Sequence, residues 1–360
     1  MPKDFVVERS DLREARFEPA PVMSAAEGEV VVAVERFALT ANNITYGVAG
    51  DIIGYWNFFP AAPGAGRIPV WGIGRVSASE HPQIPVGDRF YGYLPMSNEL
   101  LVRPQSVSPR GFNDGSAHRS ALPPVYNQYS RMTAENGFDP AFDNHNMVYR
   151  PLFTTSFVLD DYLRDNAFFG ADTVILGSAS SKTAFGLAFM LQRSNQEGSK
   201  QVRVVGLTSR ANEGFVRGLE LYDDVLTYEH VESLAHVPSA YVDMSGNRDV
   251  LARVHRHLAE DLLSSCGVGI THWESRDGAD PAALPGAKPA MFFAPTQIMK
   301  RNQELGAVYQ QRIGEATRAF FLEVDRWVTI EEHPFSELPA VYRTVLKGPP
   351  PDRGYVIVVG

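Results

Sequence analysis

The pattern of apolar and polar positions changes twice along the chain. Residues 1–110 hold short apolar runs that glycine and proline interrupt, the clearest of them at 29–35, 67–76 and 85–93. Runs of this length with turn residues between them predict β-strands, and several in succession predict a barrel-like β domain. Residues 111–150 differ, because they hold few aliphatic residues but many asparagines, prolines and aromatics. We expect a long irregular segment there, either a lid over a cleft or a surface elaboration that packs on the barrel.

Strands and helices then alternate up to about residue 300. Strands are predicted at 173–176, 201–207, 224–226, 240–243, 267–272 and 290–293. Apolar residues at helical spacing predict helices at 183–192, 212–221 and 249–264. This alternation is typical of βαβ units around a parallel sheet. The tail predicts a long amphipathic helix at 304–324, a second at 337–346 and a strand at 354–359, which we expect to return to one of the two sheets.

Length and composition narrow the class of protein. A chain of 360 residues exceeds what one core usually supports, which favours two domains. The net charge of −9 disfavours nucleic acid and anionic membranes as partners. Cys266 is the only cysteine, so a zinc site of four cysteines is excluded. With no signal peptide and no membrane span in the sequence, we expect a cytoplasmic protein that binds a small molecule and no metal, with a homodimer allowed.

Four short motifs, in this order, resemble the medium-chain dehydrogenase/reductase superfamily. They are GEVVV at 28–32, ANNITY at 41–46, VGDRFYG at 86–92 and LELYDDVLTY at 219–228. These are similar to the opening strand and to the LNPVDY, VGDRVYG and LGADDVLTY segments of its zinc-free quinone and enoyl reductases. The resemblance implies an α/β protein with a GroES-like β-barrel domain and a Rossmann domain built on a doubly wound parallel sheet.

The domain boundaries follow from this order of elements. We expect the GroES-like domain at residues 1–150, with 111–150 as an insert and 326–360 completing it. The Rossmann nucleotide-binding domain then occupies residues 151–325, and the cofactor is expected between the two domains.

The strand at 173–176 leads into the loop where these reductases bind pyrophosphate. The usual fingerprint is G-x-G-x-x-G before a helix, where N–H groups and the helix dipole attract phosphate. Here Ser180, Ser181 and Thr183 stand where the quinone reductases carry glycine. The hydroxyls and Lys182 could replace the backbone contacts, the serines could only cap the helix, or the loop could be a relic that binds nothing. On the first alternative, the cofactor-binding residues are Gly177, Ser178, Ser180, Ser181, Lys182 and Thr183.

The end of the second strand favours NADPH as the cofactor. Enzymes that use NAD place Asp or Glu there to bind the ribose hydroxyls, whereas this chain has Ser209 and Arg210. Arginine can form a bidentate hydrogen bond with a 2′-phosphate. The alternative is that Ser209 caps the next helix and Arg210 is solvated.

The resemblance also implies residues near the nicotinamide. In the enoyl reductases a tyrosine after the LNPVD segment acts on the substrate, and Tyr46 has that place. It could hydrogen-bond or protonate an enolate oxygen, or it could only line the cleft. Thr155 and Phe293 are expected at strand ends that approach the nicotinamide, and with Tyr228 they complete the predicted cofactor site. Among the histidines, His272 alone is expected to end a strand near the cleft.

Two functions are compatible with these features. The first is an NADPH-dependent reductase of an activated C=C bond or of a quinone-type small molecule. The second is a non-redox protein on the same scaffold, either a small-molecule or acyl-binding protein or a lyase-type enzyme, with a degenerate nucleotide loop. Fold alone does not choose between them.

Overall fold

The chain divides into two compact units. The structure is a computed structural model that describes residues 1–196, 200–268 and 283–360. The first unit comprises Met1–Val148 and Thr329–Gly360, and the second comprises Tyr149–Val328. In the described parts of the chain, no helix is both long enough and apolar enough to span a membrane.

Mostly antiparallel strands build the first unit. Those that precede the second unit are β1 (Lys3–Glu8), β2 (Asp11–Pro19), β3 (Val30–Leu39), β4 (Ala65–Gly66), β5 (Pro69–Ser79), β6 (Arg89–Pro95), β7 (Glu99–Val102), β8 (Pro104–Ser108), β9 (Gly111–Asp114) and β10 (Gln128–Arg131). Two helices, α1 (Ala41–Val48) and α2 (Gly50–Ile53), lie between β3 and β4 in the chain. The three clearest apolar runs correspond to β3, β5 and β6, and β5 pairs antiparallel with both of the others. The predicted β domain is confirmed.

The segment 111–150 is more regular than its composition indicates. It contributes β9 and β10 to the large sheet, and its last residues begin the helix α3 (Asp143–Asp165). Between them lie four short 3₁₀ helices, Ala117–Arg119, Pro124–Asn127, Ala134–Asn136 and Pro140–Phe142.

Aromatic rings explain why the expectation of an irregular segment was wrong there. Tyr129 is buried, its ring stacks on that of Phe112 at 5.0 Å, and its hydroxyl donates to the carbonyl of Tyr93 at 2.6 Å. The segment fills its part of the core with aromatic side chains in place of aliphatic ones. A hydrophobic pattern that depends on aliphatic residues therefore misses its strands.

Among the residues that the structure describes, the second unit contains a parallel sheet of six strands. Its strands are β11 (Thr173–Gly177), β12 (Arg203–Thr208), β13 (Asp224–Thr227), β14 (Ser239–Asp243), β15 (Leu262–Gly267) and β16 (Ala290–Met291). The helices between them are α4 (Lys182–Gln196), α5 (Glu213–Gly218) and α6 (Arg248–Leu258). The strand order is β13-β12-β11-β14-β15-β16. Because this is the 3-2-1-4-5-6 order of the Rossmann fold, the predicted Rossmann half is confirmed.

The helix predicted at 249–264 is too long at its C-terminal end. It stops at Leu258, and Ala259 follows with a φ of 44°, in the left-handed region that breaks the helical path. Leu262 already belongs to β15, which pairs with β14. The fifth strand therefore begins before the predicted start at 267. Residues 269–272, including His272, lie outside the described part of the chain.

The helix predicted at 304–324 corresponds to α8 (Ala307–Val324), which begins three residues later. A separate helix, α7 (Ala294–Leu305), precedes it and was not predicted, and Gly306 separates the two with a φ of 56°. The prediction ran across this glycine into the end of α7. Within the second unit, α8 packs against α3, where the rings of Phe153 and Phe320 stack at 4.4 Å.

The tail, from Thr329 onward, belongs to the first unit. It contains β17 (Thr329–Pro334), α9 (Leu338–Leu346) and β18 (Arg353–Val358). Strand β18 pairs antiparallel with β3 and parallel with β17. The large sheet of this unit therefore has the order β17-β18-β3-β5-β6-β10-β9-β8, and β7 adds to β3.

Candidate active site

The carboxyl edge of the parallel sheet has the geometry of a ligand site. Strands β11 and β14 are neighbours, and the strand order reverses between them, which is where open α/β sheets bind ligands. Gly177 ends β11 and is the register partner of Asp243, which ends β14. A Cβ at position 177 would lie 2.5 Å from the hydroxyl of Tyr241 and 3.0 Å from Oδ1 of Asp243. Only glycine fits at this point of the sheet.

The loop after Gly177 is held by contacts with β12 and with the side chain of Tyr222. Ser178 has a φ of 54°, in the left-handed region where glycine is usually found. The N–H of Ala179 donates to the carbonyl of Leu207 at 2.9 Å, and its carbonyl accepts from the hydroxyl of Tyr222 at 2.8 Å. These contacts fix the turn without the later glycines of the usual fingerprint.

The hydroxyls of this loop already have partners within the unit. Ser181 Oγ accepts from the N–H of Ala184 at 3.2 Å, so it caps α4. Ser180 Oγ accepts from the side-chain amide of Asn212 at 3.0 Å. Lys182 and Thr183 are half-buried in the first turn of α4. A phosphate here would share the serines with these internal bonds.

Ser209 and Arg210 follow β12 at the same edge of the sheet. Arg210 is exposed, and its charge contributes to lowering the pKa of Glu229, after the hydrogen bonds that Glu229 makes with its own backbone and with Thr227. Ser209 precedes a single 3₁₀ turn but makes no side-chain capping bond to it. The guanidinium therefore faces solvent at the place predicted for a 2′-phosphate.

Tyr228 lies beside the same loop. Burial raises the pKa of its phenol to about 12, the charge of Asp243 adds to this, and hydrogen bonds with Ser178 oppose it. The second unit thus brings together Gly177, Ser178 and Tyr228, and it ties Ser180 to the segment that follows Arg210.

The other two predicted cofactor residues have different environments. Thr155 lies inside α3, where its hydroxyl donates to the carbonyl of Pro151 at 3.2 Å. Its expected place at a strand end is therefore wrong, because α3 runs without a break through this sequence. Phe293 follows β16 and precedes α7, and its side chain is 45% exposed.

Tyr46 belongs to the first unit, on a helix whose position is fixed from its first turn. Asn43 accepts from the backbone N–H of Thr40 at 2.7 Å and donates to the carbonyl of Pro69 at 2.9 Å. Asn43 is buried, and its two bonds fix α1 against the beginning of β5.

The hydroxyl of Tyr46 accepts two N–H bonds. Asn42, one turn earlier on α1, donates its side-chain amide at 2.7 Å, and Trp71 on β5 donates its indole N–H at 3.2 Å. Burial raises the pKa of Tyr46 well above its ordinary value, the phenol of Tyr126 adds to this, and the two N–H donors oppose it. Tyr46 is therefore a protonated phenol at neutral pH.

Aromatic rings surround Tyr46. Tyr55 lies at 4.6 Å between ring centroids, Tyr93 at 5.5 Å and Tyr126 at 6.3 Å. The hydroxyls of Tyr55 and Tyr126 are 3.1 Å apart and hydrogen-bonded. The sequence gave Trp71 no role, because the contact of β5 with α1 depends on tertiary structure. Asn42 could have been found, since residues four apart share a helix face.

Among the described residues, no cluster of histidine, cysteine or carboxylate side chains has the arrangement of a metal site. His255 is buried, with Nε2 at 2.9 Å from Ser265 Oγ and Nδ1 at 2.9 Å from the carbonyl of Pro285. Burial lowers its pKa. His118 hydrogen-bonds the carbonyl of Phe58 at 3.2 Å. Both histidines serve the packing of their own units.

A family model described as a protein of unknown function, DUF2855, matches residues 37–350. The chain belongs to this family. Among proteins with curated descriptions, none matches this member of DUF2855.

Solved structures show which fold this DUF2855 chain shares. CurA from Vibrio vulnificus is 13% identical with a TM-score of 0.63, covering 100% of this chain and 99% of that chain. CurK enoyl reductase is 12% identical with a TM-score of 0.58, covering 100% and 99%. The yhdH oxidoreductase from Salmonella enterica, in complex with NADP, is 14% identical with a TM-score of 0.56, covering 100% of both chains. The predicted resemblance is confirmed at the level of the fold, since the chain shares its fold with an enoyl reductase and with an oxidoreductase that binds NADP.

Proposed function

We propose that this protein is an NADPH-dependent reductase of an activated C=C bond or of a quinone-type small molecule. The observation that carries the proposal is the carboxyl edge of the second unit's sheet. Only glycine fits at position 177, and an exposed Arg210 follows the neighbouring strand. These features fit a dinucleotide with a 2′-phosphate. CurA from Vibrio vulnificus, a structure of the same fold, has been determined in complex with NADPH.

Different residues of the second unit would bind different parts of the cofactor. The turn at Gly177 and Ser178, with the first turn of α4, would face the pyrophosphate. Ser209 and Arg210 would hold the 2′-phosphate, which binds an arginine better than a ribose hydroxyl does. Bound NADPH would supply a hydride to the substrate.

Tyr46 would act on the oxygen of the substrate. Hydride addition to the β-carbon of an enone shifts the π electron pair onto the carbonyl oxygen. A phenol that donates a hydrogen bond to this oxygen stabilises the developing enolate, and a proton from Tyr46 or water completes the reduction. Because its pKa is raised, Tyr46 would keep its proton until the enolate forms.

The consumption of NADPH tests this proposal. Purified protein is mixed with NADPH and, in turn, a cyclic enone, a para-quinone and an enoyl thioester, and the loss of reduced nicotinamide is followed. We expect turnover with at least one acceptor, and a fall of about 10²-fold in kcat for Tyr46→Phe. Tyr342→Phe removes another buried hydroxyl of the first unit, which donates to the carbonyl of Leu12, and should leave kcat unchanged.

One observation favours the alternative of a non-redox binding protein or lyase-type enzyme. Ser180 and Ser181 already use their hydroxyls within the unit, and the later glycines of the fingerprint are replaced. On this alternative the protein binds no NADPH, and NADPH is not consumed with any of the three acceptors. If wild type and Tyr46→Phe turn over equally, the reductase function would be supported and the proposed role of Tyr46 would be refuted.

A further inference from the structure

The hydrogen bonds around Tyr46 determine what its hydroxyl can do. A phenol oxygen has two lone pairs that accept and one O–H that donates. The side-chain amide of Asn42 and the indole of Trp71 both donate to this oxygen. An indole N–H has no acceptor capacity, so the direction of the Trp71 bond is fixed by chemistry. With both lone pairs used, the O–H of Tyr46 is left to donate.

Trp71 is held rigidly enough to impose this direction. Its ring stacks on Tyr91 at 5.5 Å with 15° between the planes, and it contacts Tyr93, its register partner on β6, at 5.2 Å. Asn43 bonds the carbonyl of Pro69, two residues before Trp71, and so joins α1 and β5 at this point. The donor and the acceptor therefore belong to two elements that are fixed to each other.

We propose that Trp71 is a positioning residue that commits Tyr46 to donating its hydrogen bond to the oxygen of a carbonyl or quinone substrate. The site would then select substrates that present a hydrogen-bond acceptor to Tyr46. A hydroxyl or ammonium group that must donate would find no free lone pair on its oxygen. The substrate part of this inference rests on the proposed function. The orientation of Tyr46 does not.

The groups that contact Tyr46 within the first unit are phenols, one amide and one indole. They are the phenols of Tyr55, Tyr93 and Tyr126, together with Asn42 and Trp71. The hydroxyl of Tyr93 is buried among these rings, and its effect on the pKa of Tyr46 ranks after those of Trp71 and Asn42. An oxygen that develops negative charge accepts a stronger hydrogen bond than a neutral phenol oxygen does, which favours the substrate as the acceptor of the Tyr46 O–H.

The hydrogen bond itself is tested by NMR without any assumption about activity. The indole N–H signal of Trp71 is assigned by its loss in Trp71→Phe. In Tyr46→Phe this signal should move upfield and its exchange with water should become faster, because its acceptor has gone. An unmoved signal would overturn the proposal.

A double-mutant cycle tests the role in catalysis. Trp71→Phe should lower kcat about tenfold, the effect of one neutral hydrogen bond, with little change in KM. In a Tyr46→Phe background, Trp71→Phe should have no further effect, because Trp71 acts through Tyr46. The same loss in both backgrounds, or a loss confined to KM, would overturn the proposal and assign Trp71 to direct contact with substrate. Trp327→Phe, a half-buried tryptophan of the second unit, is the matched control.

The two proposals fail separately. Absence of turnover in wild type with all three acceptors would refute the reductase function. The orientation of Tyr46 is then decided by the indole signal alone.

Discussion

The segment 111–150 contains a buried ion pair whose loss should destabilise the first unit. Arg119 and Asp114 are each 1% exposed at their side chains, and Nε of Arg119 is 3.2 Å from Oδ2 of Asp114. The guanidinium also lies over the ring of Phe59 at 4.7 Å and donates to the hydroxyl of Tyr129 at 3.2 Å. Arg119→Met keeps the apolar stem but leaves a buried carboxylate without its counter-ion.

The expected loss follows from what Asp114 keeps. Removing one partner of a buried ion pair costs about 3–5 kcal/mol. Asp114 retains hydrogen bonds from the N–H of Arg103 at 3.1 Å, the N–H of Ser116 at 3.0 Å and the hydroxyl of Ser116 at 2.7 Å. These donors continue to stabilise the carboxylate, so we expect the lower end, about 3 kcal/mol.

Urea unfolding measures this loss. It is followed by the fluorescence of Trp56 and Trp71, with the remaining tryptophans replaced by phenylalanine. Arg119→Met with Asp114→Asn should recover at least about 1 kcal/mol of it, because no charge is then buried alone. Arg13→Met, which removes an exposed ion pair with Asp11, should leave the stability unchanged. A loss below about 1 kcal/mol for Arg119→Met, or no recovery in the double variant, would refute the reasoning.

Three other substitutions test the second unit. Gly177→Ala should weaken NADPH binding and destabilise the protein by about 1–3 kcal/mol, because its Cβ would clash with Tyr241; a variant as stable as wild type in thermal unfolding would contradict the geometry. Lys182→Met should weaken NADPH binding and reduce its salt dependence in titrations at two salt concentrations, and unchanged affinity would remove Lys182 from the site. Burial lowers the pKa of His255, so the folded protein takes up this proton at a lower pH than the unfolded chain, which does so near the ordinary value of about 6.5. The free energy of unfolding should therefore be highest above that pH. Below it, His255 should lower the free energy of unfolding by at most about 1.4 kcal/mol per pH unit. His255→Gln should show a smaller slope in urea unfolding between about pH 7 and 5, and an equal slope would exclude His255 as its source.

The sequence predicted those parts of the fold that depend on local patterns. The apolar run of β11 is buried along its whole length and that of β3 along most of it, so their hydrophobicity identifies them. The break at Gly306 and the end of α6 at Ala259 did not follow from periodicity, because each depends on a backbone conformation. The strands β9 and β10 were missed because their core contacts are aromatic.

The candidate site divides in the same way. The loop after Gly177 could be predicted, because a strand followed by small residues and a helix is visible in sequence. Trp71 could not, since its partner Tyr46 lies on α1, which is distant in the chain. A tryptophan in a strand is ordinary in sequence, and only the packing of α1 on β5 gives it this contact. Outside the site, the ion pair of Arg119 with Asp114 depends in the same way on the packing of a 3₁₀ turn on β9.

Calorimetric titration of wild type and Arg210→Ala with NADPH and with NADH tests the central claim most directly. We predict that wild type binds NADPH more tightly than NADH. Arg210→Ala should weaken NADPH binding by about 1.5–3 kcal/mol, the contribution of a hydrogen bond to a charged group, and leave NADH binding nearly unchanged. An equal loss for both cofactors would contradict the assignment of Arg210 to the 2′-phosphate, and no binding of NADPH by wild type at millimolar concentration would contradict the proposed reductase itself.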